Sequence, residues 1–269
     1  MNTQEKKTAL ITGATSGIGA EYARRLAADG YNLIITGRRE EKIKTLADEL
    51  SQSYGSNIEV IIIELSDSLQ VDEFIEKIKN RDIHLLINNA GFGTTKFFHQ
   101  EPLELQEKMV AVHILAHMKI TYAILPEMIK KGTGVIINVS SSGAFLPSPK
   151  TATYSGTKAF LRAFTESLHM ELEGTGVQVQ VVCPGLTRTD MHSRIGITEE
   201  YTPDWGPFQW LSVQEVVECS LQCLKKKKVV CIPGRLTRMQ VFMRHITPES
   251  LYYKITGYFF RKYGWTDGV

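Results

Sequence analysis

The sequence has little of several features that would mark particular classes of protein. Only four of its 269 residues are cysteine, without a CxxC pair or a matching histidine spacing for zinc, so no metal site is expected. The formal charge of +2 is too small to indicate binding to nucleic acid. The polar N-terminus leads straight into a strand, so no secretory signal is expected, and a cytoplasmic location fits.

The chain also lacks a long Pro/Gly/Ser linker and any repeat at solenoid periods. Because α/β folds often reach this length as one unit, we expect a single Rossmann-type domain over residues 1–269. Its one basic run, residues 225–228, follows an apolar-periodic segment. That position favours a solvated helix C-terminus over a membrane or anion patch.

Seven apolar runs of strand length alternate with helix-length periodic segments. Most runs are apolar on both alternating faces, as strands covered on both sides must be. The alternation predicts an α/β fold, a doubly wound Rossmann fold whose seven-stranded parallel sheet is flanked by helices on both faces. Strands are expected at 8–12, 31–36, 58–64, 84–88, 135–140, 177–183 and 229–232, and helices at 17–29, 39–52, 70–80, 103–130, 153–173 and 213–226.

Two regions lie outside this alternation and its core, residues 6–190. Residues 191–212 form a long Pro/Gly-punctuated connection rich in large apolar side chains, which predicts a substrate loop or lid. Residues 235–269 are expected to be a C-terminal helical extension with Leu251, Ile255 and Phe259 on one helix face. Such a stripe favours docking on the protein itself or on a partner subunit, with membrane-surface contact as the alternative.

A glycine-rich turn, TGATSGIG at residues 12–19, joins the first strand to the first helix. Gly13, Gly17 and Gly19 permit a tight turn and close approach of the backbone to a pyrophosphate, beside the free N–H groups of a helix N-terminus. The spacing G-x-x-x-G-x-G differs from the common dinucleotide fingerprint. A purely structural turn therefore remains an alternative.

The second predicted strand ends in TGRRE, at residues 36–40, where dinucleotide folds contact the adenosine ribose. Gly37 and Arg38 stand here without a carboxylate before Glu40, which favours NADP(H) with Arg38 at the 2′-phosphate. A solvated helix start is the alternative, although arginine is unfavourable at a helix N-terminus. The fourth strand ends in NNAG, where small residues let the backbone approach a ligand and Asn88 can hold neighbouring loops.

Taken in order with a serine after the fifth strand, YSGTK on the next helix and PGLTRTDM after the sixth strand, these motifs resemble the short-chain dehydrogenases/reductases. They cover about residues 8–191. The resemblance implies hydride exchange between NADP(H) and a carbonyl or alcohol substrate. The cofactor-binding residues that it implies are Gly13, Thr15, Ser16, Gly17, Ile18, Gly19, Arg38, Glu64, Leu65, Asn89, Ala90, Gly91, Tyr154, Lys158, Pro184, Gly185, Leu186, Thr187 and Thr189.

Tyr154 and Lys158 stand at i and i+4 on a predicted helix, so they share one face. A nearby ammonium favours the ionised phenol and is expected to lower the pKa of Tyr154. Tyr154 would then pass a proton to a carbonyl oxygen while the nicotinamide delivers hydride. Because exposed tyrosine–lysine pairs without function are common, this prediction depends on the upstream motifs.

In the resembling family, the catalytic serine stands thirteen residues before the tyrosine, which selects Ser141. Its hydroxyl would orient the substrate oxygen and stabilise developing charge. Strand alternation would point Ser140 and Ser142 away from it.

The family's fourth site residue, an asparagine, is replaced here by His113. A histidine could keep the backbone carbonyl role and could titrate near neutral pH. A core histidine that only packs is the alternative. The resemblance also assigns the backbone of Leu186 and the hydroxyl of Thr189 to the nicotinamide end of the cofactor, and Asp190 is expected to be a cap.

Several aromatic residues near the predicted site suggest an apolar ketone as substrate. A nucleotide-binding regulator or scaffold that has lost turnover is the rival hypothesis, motivated by His113. In the resembling family, helices corresponding to residues 103–130 and 153–173 form the usual dimer contacts. A homodimer or homotetramer is therefore expected.

Overall fold

A parallel β-sheet forms the centre of the protein. The computed structural model describes residues 6–94, 96–191 and 209–262. In these residues seven strands pair in the order β3-β2-β1-β4-β5-β6-β7, which confirms the predicted doubly wound sheet. The strands are β1 Thr8–Ile11, β2 Asn32–Gly37, β3 Ile58–Ile62, β4 Leu85–Asn88, β5 Gly134–Val139, β6 Val177–Val182 and β7 Val230–Cys231.

Helices cover both faces of the sheet and continue after its last strand. They are α1 Gly17–Ala28, α2 Glu40–Tyr54, α3 Ser68–Ile78, α4 Leu103–Val110, α5 His117–Lys131, α6 Ala152–Glu171, α7 Val213–Lys225, α8 Arg235–Ile246 and α9 Glu249–Lys262. A π-helical segment, Ala111–Ala116, joins α4 to α5 without a break. Helix α3 begins two residues earlier than predicted because the Asp67 carboxylate accepts hydrogen bonds from the N–H groups of Leu69 and Gln70.

Two apolar cores lie on opposite faces of the sheet, as the uninterrupted apolar strands predict. Ile11, Ile35 and Ile87, on neighbouring strands, pack with α1, α2 and α7. Their neighbours Leu10, Ile34 and Leu86 point the other way and pack with α3, α5 and α6. Fully burying one such side chain contributes about 1.5–3 kcal/mol. The carboxyl ends of β1, β2 and β4 are therefore held rigidly at one edge.

The α4–α5 helix also has the length and composition of a membrane-spanning helix. Over Leu103–Lys131 the mean hydropathy of its most apolar window is 1.4, and 44% of that window is buried inside the fold. Val112, Ile120 and Ile124 pack in the core of the sheet. The buried face of this helix therefore belongs to the core of the fold.

The cysteines of α7 and β7 come together although they are distant in sequence. The sulfur atoms of Cys219, Cys223 and Cys231 lie within 4.8 Å of one another. Burial raises the pKa of both Cys219 and Cys231, so these thiols stay protonated. They pack against the α1–α7 core as small apolar side chains.

The C-terminal extension forms two helices, α8 and α9. The predicted stripe of Leu251, Ile255 and Phe259 is exposed on α9, which leaves docking on a partner subunit and contact with a membrane surface as the two alternatives. Of the predicted lid at 191–212, residues 192–208 lie outside the described residues, as do residues 263–269 of the extension. At the end of the predicted lid, Leu211 is buried and forms a β-bridge with Thr187.

Candidate active site

The glycine-rich turn packs directly on the end of β4. Gly13 and Gly17 adopt positive φ angles of 68° and 59°. A Cβ atom on Gly13 would stand 2.7 Å from Ala90 Cα, and one on Gly19 would stand 2.4 Å from Asn89 Nδ2. Only glycine allows this approach. Within the described residues, no side-chain hydrogen bond caps the start of α1, and its first turn carries no acidic residue, so its N–H groups are available to an anion.

Asn89, rather than Asn88, holds this loop. Its amide nitrogen donates to the carbonyl oxygens of Thr12 and Gly13, each at 3.0 Å. Asn88 is fully buried and donates instead to Thr121 Oγ1 and Asn138 Oδ1. The loop-holding role predicted for Asn88 was therefore placed one residue too early.

Arg38 extends from the end of β2 toward the end of β3. Its Nη1 atom lies 2.9 Å from Glu64 Oε2, and its side chain is largely exposed. Partial burial raises the pKa of Glu64, but hydrogen bonds from Arg38 and Ser66 outweigh it and hold that pKa below its usual value. The guanidinium thus stands at the predicted position, paired with a carboxylate.

Arg39, which the sequence analysis treated only as part of a helix start, lies over the glycine-rich turn. Its Nη2 atom donates to Thr15 Oγ1 at 2.7 Å and to Ser16 Oγ at 2.6 Å. Its Nη1 atom lies 3.1 Å from Asp190, and this pairing lowers the pKa of that carboxylate. Asp190, expected to be a cap, also pairs with Lys42 at 3.5 Å. The two adjacent arginines in TGRRE were the sequence feature that could have indicated a second arginine at this site.

Ser141, Tyr154 and Lys158 meet at the carboxyl ends of β5 and β6. Ser141 and Tyr154 line the same cleft, where the Ser141 side chain lowers the pKa of Tyr154, and Ser141 Oγ accepts a hydrogen bond from Gly143 N at 3.1 Å. Lys158 is buried, and its Nζ atom donates to Val139 O at 3.0 Å. Ser140 donates its hydroxyl to the backbone oxygen of Lys158 at 2.8 Å. The neighbouring serine thus secures the helix, while Ser141 faces the tyrosine.

These groups line one cleft of about 260 Å³. Most of the predicted cofactor and catalytic residues face it. Gly19, Leu186 and His113 do not, because they pack or bond behind its wall. Phe92, one of the aromatic residues that suggested an apolar substrate, also lines the cleft, as do Arg39 and Val112, which were missed as site residues.

A model of the short chain dehydrogenase family matches residues 7–200. The chain belongs to this family. It is 36% identical to a very-long-chain 3-oxoacyl-CoA reductase of Pyrenophora tritici-repentis over 73% of its own length but only 59% of that relative. Two solved structures are also similar, a short-chain dehydrogenase from Sphingobium yanoikuyae in complex with NADPH (30% identity, TM-score 0.80, 90% and 97% of the two chains) and a bulky-bulky ketone specific alcohol dehydrogenase from Comamonas testosteroni (29%, 0.76, 91% and 96%).

Short-chain dehydrogenases are oxidoreductases that bind NAD(P). Three observations fit such a cofactor here. The α1 N-terminus is open to a pyrophosphate, the glycines leave no Cβ in the way, and two guanidinium groups follow β2. Gly17, Thr15 and Arg38 would hold the adenosine and phosphate end of the cofactor.

The electrostatics around Tyr154 differ from the sequence expectation. Burial raises the pKa of Tyr154 above its ordinary value, and the hydrogen bond with Ser141 lowers it only in part. Lys158 Nζ lies 5.8 Å from the centre of the phenol ring, and burial lowers the pKa of this lysine to about 8. The predicted lowering of the tyrosine pKa by the ammonium is therefore wrong for this arrangement. Tyr154 therefore carries its phenolic proton at pH 7.

His113 takes the place of the family's asparagine and lies fully buried in the π-helical segment. Its Nε2 atom accepts a hydrogen bond from Phe92 N at 3.0 Å, and its Nδ1 atom lies 2.9 Å from Thr157 Oγ1. The Thr157 hydroxyl donates to Tyr154 O at 2.8 Å. Because the Thr157 hydroxyl already donates to Tyr154 O and Nε2 already accepts, the His113–Thr157 contact requires a proton on Nδ1. The neutral tautomer of His113 protonated at Nδ1 is therefore fixed.

Burial holds the pKa of His113 well below its usual value, and the charge of Lys158 lowers it further. The expected titration near neutral pH is therefore contradicted. The imidazole edge contacts the Tyr154 ring, with centroids 5.9 Å apart. One helical turn later, His117 is also fully buried, and burial lowers its pKa to about 3. The sequence analysis did not single out His117.

The segment after β6 is clamped from two sides. Leu186 O accepts from Leu211 N at 2.9 Å, which joins it to the chain beyond the lid. A Cβ on Gly185 would stand 2.6 Å from Thr237 Oγ1 of α8, and one on Gly17 would stand 3.1 Å from the methyl group of Thr189. The wall of the cleft therefore depends on α8 as well as on the sheet.

Proposed function

We propose that this short-chain dehydrogenase is an NADP(H)-dependent enzyme that interconverts a ketone or aldehyde and the corresponding alcohol. The observation that carries the proposal is that Ser141, Tyr154 and Lys158 line the same cleft as the glycine-rich turn. The proposed proton donor, Tyr154, and the proposed cofactor-binding turn therefore belong to the same site.

In the reduction direction, Tyr154 gives its hydroxyl proton to the carbonyl oxygen of the substrate. Ser141 donates a hydrogen bond to the same oxygen and stabilises its developing negative charge. The buried ammonium of Lys158 favours the tyrosinate that forms, because charges interact strongly where water is excluded. The nicotinamide, when bound, supplies the hydride. His113 positions the reacting phenol through Thr157 and excludes water behind it.

The preference for NADP(H) is supported by Arg38 and Arg39 at the end of β2. The Arg38 guanidinium is largely exposed beside the cleft and can exchange Glu64 for a phosphate, while Arg39 is engaged with Thr15, Ser16 and Asp190. Arg38 is therefore the 2′-phosphate reader, and Arg39 supports it by fixing the turn.

Arg38→Asp is expected to shift the ratio of kcat/KM for NADPH over NADH by roughly ten- to a hundredfold toward NADH, because one charge-assisted hydrogen bond is replaced by repulsion. The measurement is oxidation of both cofactors with a panel of apolar ketones. Arg81→Asp is the matched control, since Arg81 is also exposed and paired with one carboxylate, Glu59. An unchanged ratio would refute the role of Arg38, and absence of turnover with tight NADPH binding would favour the regulator hypothesis.

An apolar ketone is the proposed substrate class. Phe92 and Val112 line the cleft, and Phe145 stands on the turn after Ser141. The similar Comamonas enzyme is specific for bulky ketones, and the Pyrenophora relative reduces long-chain 3-oxoacyl groups by its name. These features support a substrate larger and less polar than a short-chain sugar or acid.

His113 gives little support to the regulator hypothesis that it motivated. The ring is buried behind the tyrosine, with both nitrogens hydrogen-bonded, and it does not line the cleft. It therefore leaves the reaction centre accessible. We assign it a positioning role.

His113→Asn is expected to lower the free energy of unfolding by about 1–3 kcal/mol, because the shorter amide cannot bond both Phe92 N and Thr157. The shape of the pH profile of turnover should stay unchanged from about pH 6 to about pH 8, since the native imidazole is neutral throughout that range. Urea unfolding and kcat against pH measure the two effects. A profile that loses a titration step in the variant would instead make His113 a proton-exchanging group.

The proposal also includes an oligomeric state and a cytoplasmic location. Leu103, Tyr122, Phe160 and Met170 expose large apolar side chains on the helices expected at the subunit contact, which supports a homodimer or homotetramer. The four cysteines are free thiols, which fits the reducing cytoplasm.

A further inference from the structure

We propose that the C-terminal helix pair, α8 and α9, is a docking surface for an anionic lipid bilayer. The protein would lie on the bilayer by this surface without crossing it. The inference concerns lipid binding alone, so it holds or fails independently of catalytic turnover.

Helix α8 has two opposite faces. Thr237 and Val241 are buried against the body of the protein. Met239, Phe242, Met243 and Ile246, at positions i, i+3, i+4 and i+7, are 54%, 62%, 49% and 59% exposed. Four large apolar side chains thus form one stripe that no other described residue covers, the pattern of a helix that enters a membrane interface with one face.

Helix α9 adds a second stripe and is anchored from its other side. Leu251 and Ile255, at positions i and i+4 on one face of the helix, are exposed. Facing the protein, the Tyr252 hydroxyl donates to Pro147 O at 2.8 Å, and the buried Phe260 ring lies edge-on to Phe97. Since these anchors fix the helix on the body, the exposed apolar stripe is a stable feature of the folded protein.

Charge identifies the occupant of this surface. Residues 235–262 contain six arginine or lysine residues and one acidic residue, Glu249, which pairs with Arg244 at 3.6 Å. Arg235, Arg238, Lys254 and Arg261 are exposed. The whole chain has 31 basic and 29 acidic residues, so the remainder has a small acidic excess. A second copy would bring two basic surfaces together and is disfavoured by repulsion. Anionic lipid headgroups complement the basic residues, and acyl chains accommodate the apolar stripes.

The surface borders the entrance of the active site. Thr237 of α8 abuts Gly185 in the cleft wall, and the His245 ring lies 6.2 Å from the ring of Phe145, after Ser141. A bilayer on this face would therefore lie next to the reaction centre. An apolar ketone dissolved in the lipid could reach the cleft without crossing water.

Sedimentation of the full-length protein with vesicles tests this inference. We expect binding to phosphatidylcholine vesicles that contain phosphatidylserine, little binding to pure phosphatidylcholine, and release as salt screens the basic residues. Phe242→Ser should weaken binding at least roughly tenfold through lost apolar burial. Lys254→Gln should weaken it roughly fivefold.

Leu69→Ser and Lys130→Gln are the matched controls, because these side chains are 74% and 76% exposed on α3 and α5, outside the helix pair. They should bind like the wild type. Failure to bind anionic vesicles, or equal binding by all variants, would overturn the proposal. So would a Phe242→Ser protein whose only change is a smaller oligomer, which would make this face an interface between copies.

Discussion

Tyr154→Phe is expected to reduce NADPH oxidation with a ketone by roughly 10²- to 10⁴-fold, the usual contribution of a positioned general acid. The change removes the phenolic oxygen and keeps the ring that packs edge-on against His113. Because burial raises the pKa of Tyr154, the wild-type hydroxyl carries its proton at pH 7, and the variant has no equivalent donor. NADPH binding should change little.

Tyr54→Phe is the matched control, since Tyr54 is 46% exposed at the end of α2 and does not line the cleft. It should turn over at the wild-type rate. Ser141→Ala should fall between the two, because Tyr154 could still donate its proton without the second hydrogen bond to the substrate oxygen. Full activity of Tyr154→Phe would mean that another group protonates the substrate, and the assigned reaction centre would be wrong.

The fold could be predicted because its determinants are local and periodic. Strands such as β2 and β5 are continuous apolar runs, and Gly55, at a φ of 61°, ends α2. Predicted boundaries differ from the structure by a few residues where a single side chain decides them. Asp67 is the example, because its capping bonds move the start of α3.

The candidate site could be predicted in so far as its residues are ordered motifs at strand ends. Topology alone brings the carboxyl ends of β1, β4, β5 and β6 to one edge, so Gly13, Ala90, Ser141 and Pro184 had to come close together. The choice of Ser141 over Ser140 followed from spacing, and in the structure Ser141 faces Tyr154.

Features that depend on burial could not be predicted from the sequence. The direction of the pKa shift of Tyr154 depends on how much water the packed cleft excludes, and the tautomer of His113 depends on two partners distant in sequence. Arg39 was missed because its contacts with Thr15 and Ser16 arise from the crossing of two loops. Periodicity showed the apolar stripe of Leu251 and Ile255 but not which side of the helix faces the protein.

Lys158→Met is expected to stabilise the protein at pH 7 by about 1–3 kcal/mol while abolishing most of its turnover. Burial lowers the pKa of Lys158 from 10.5 to about 8, so its charged form is disfavoured in the folded state. Each pKa unit corresponds to about 1.4 kcal/mol, and part of the gain is offset by loss of the hydrogen bond to Val139 O. Methionine has a similar length and no charge to bury.

The stability gained by Lys158→Met is expected to depend on pH. Between about pH 8 and 10.5, unfolded chains hold a proton on Lys158 that the folded protein has released, so wild-type stability from this group rises with pH across that window. Below about pH 8, Lys158 is charged in the folded protein and the full free-energy cost of burying that charge applies. The advantage of Lys158→Met in urea unfolding should therefore be largest near pH 7 and shrink toward pH 10, whereas Lys119→Met, at an exposed lysine paired with Asp72, should show no such trend. A constant difference across this range would contradict the lowered pKa of Lys158, because the folded and unfolded chains would then hold the same number of protons on this lysine.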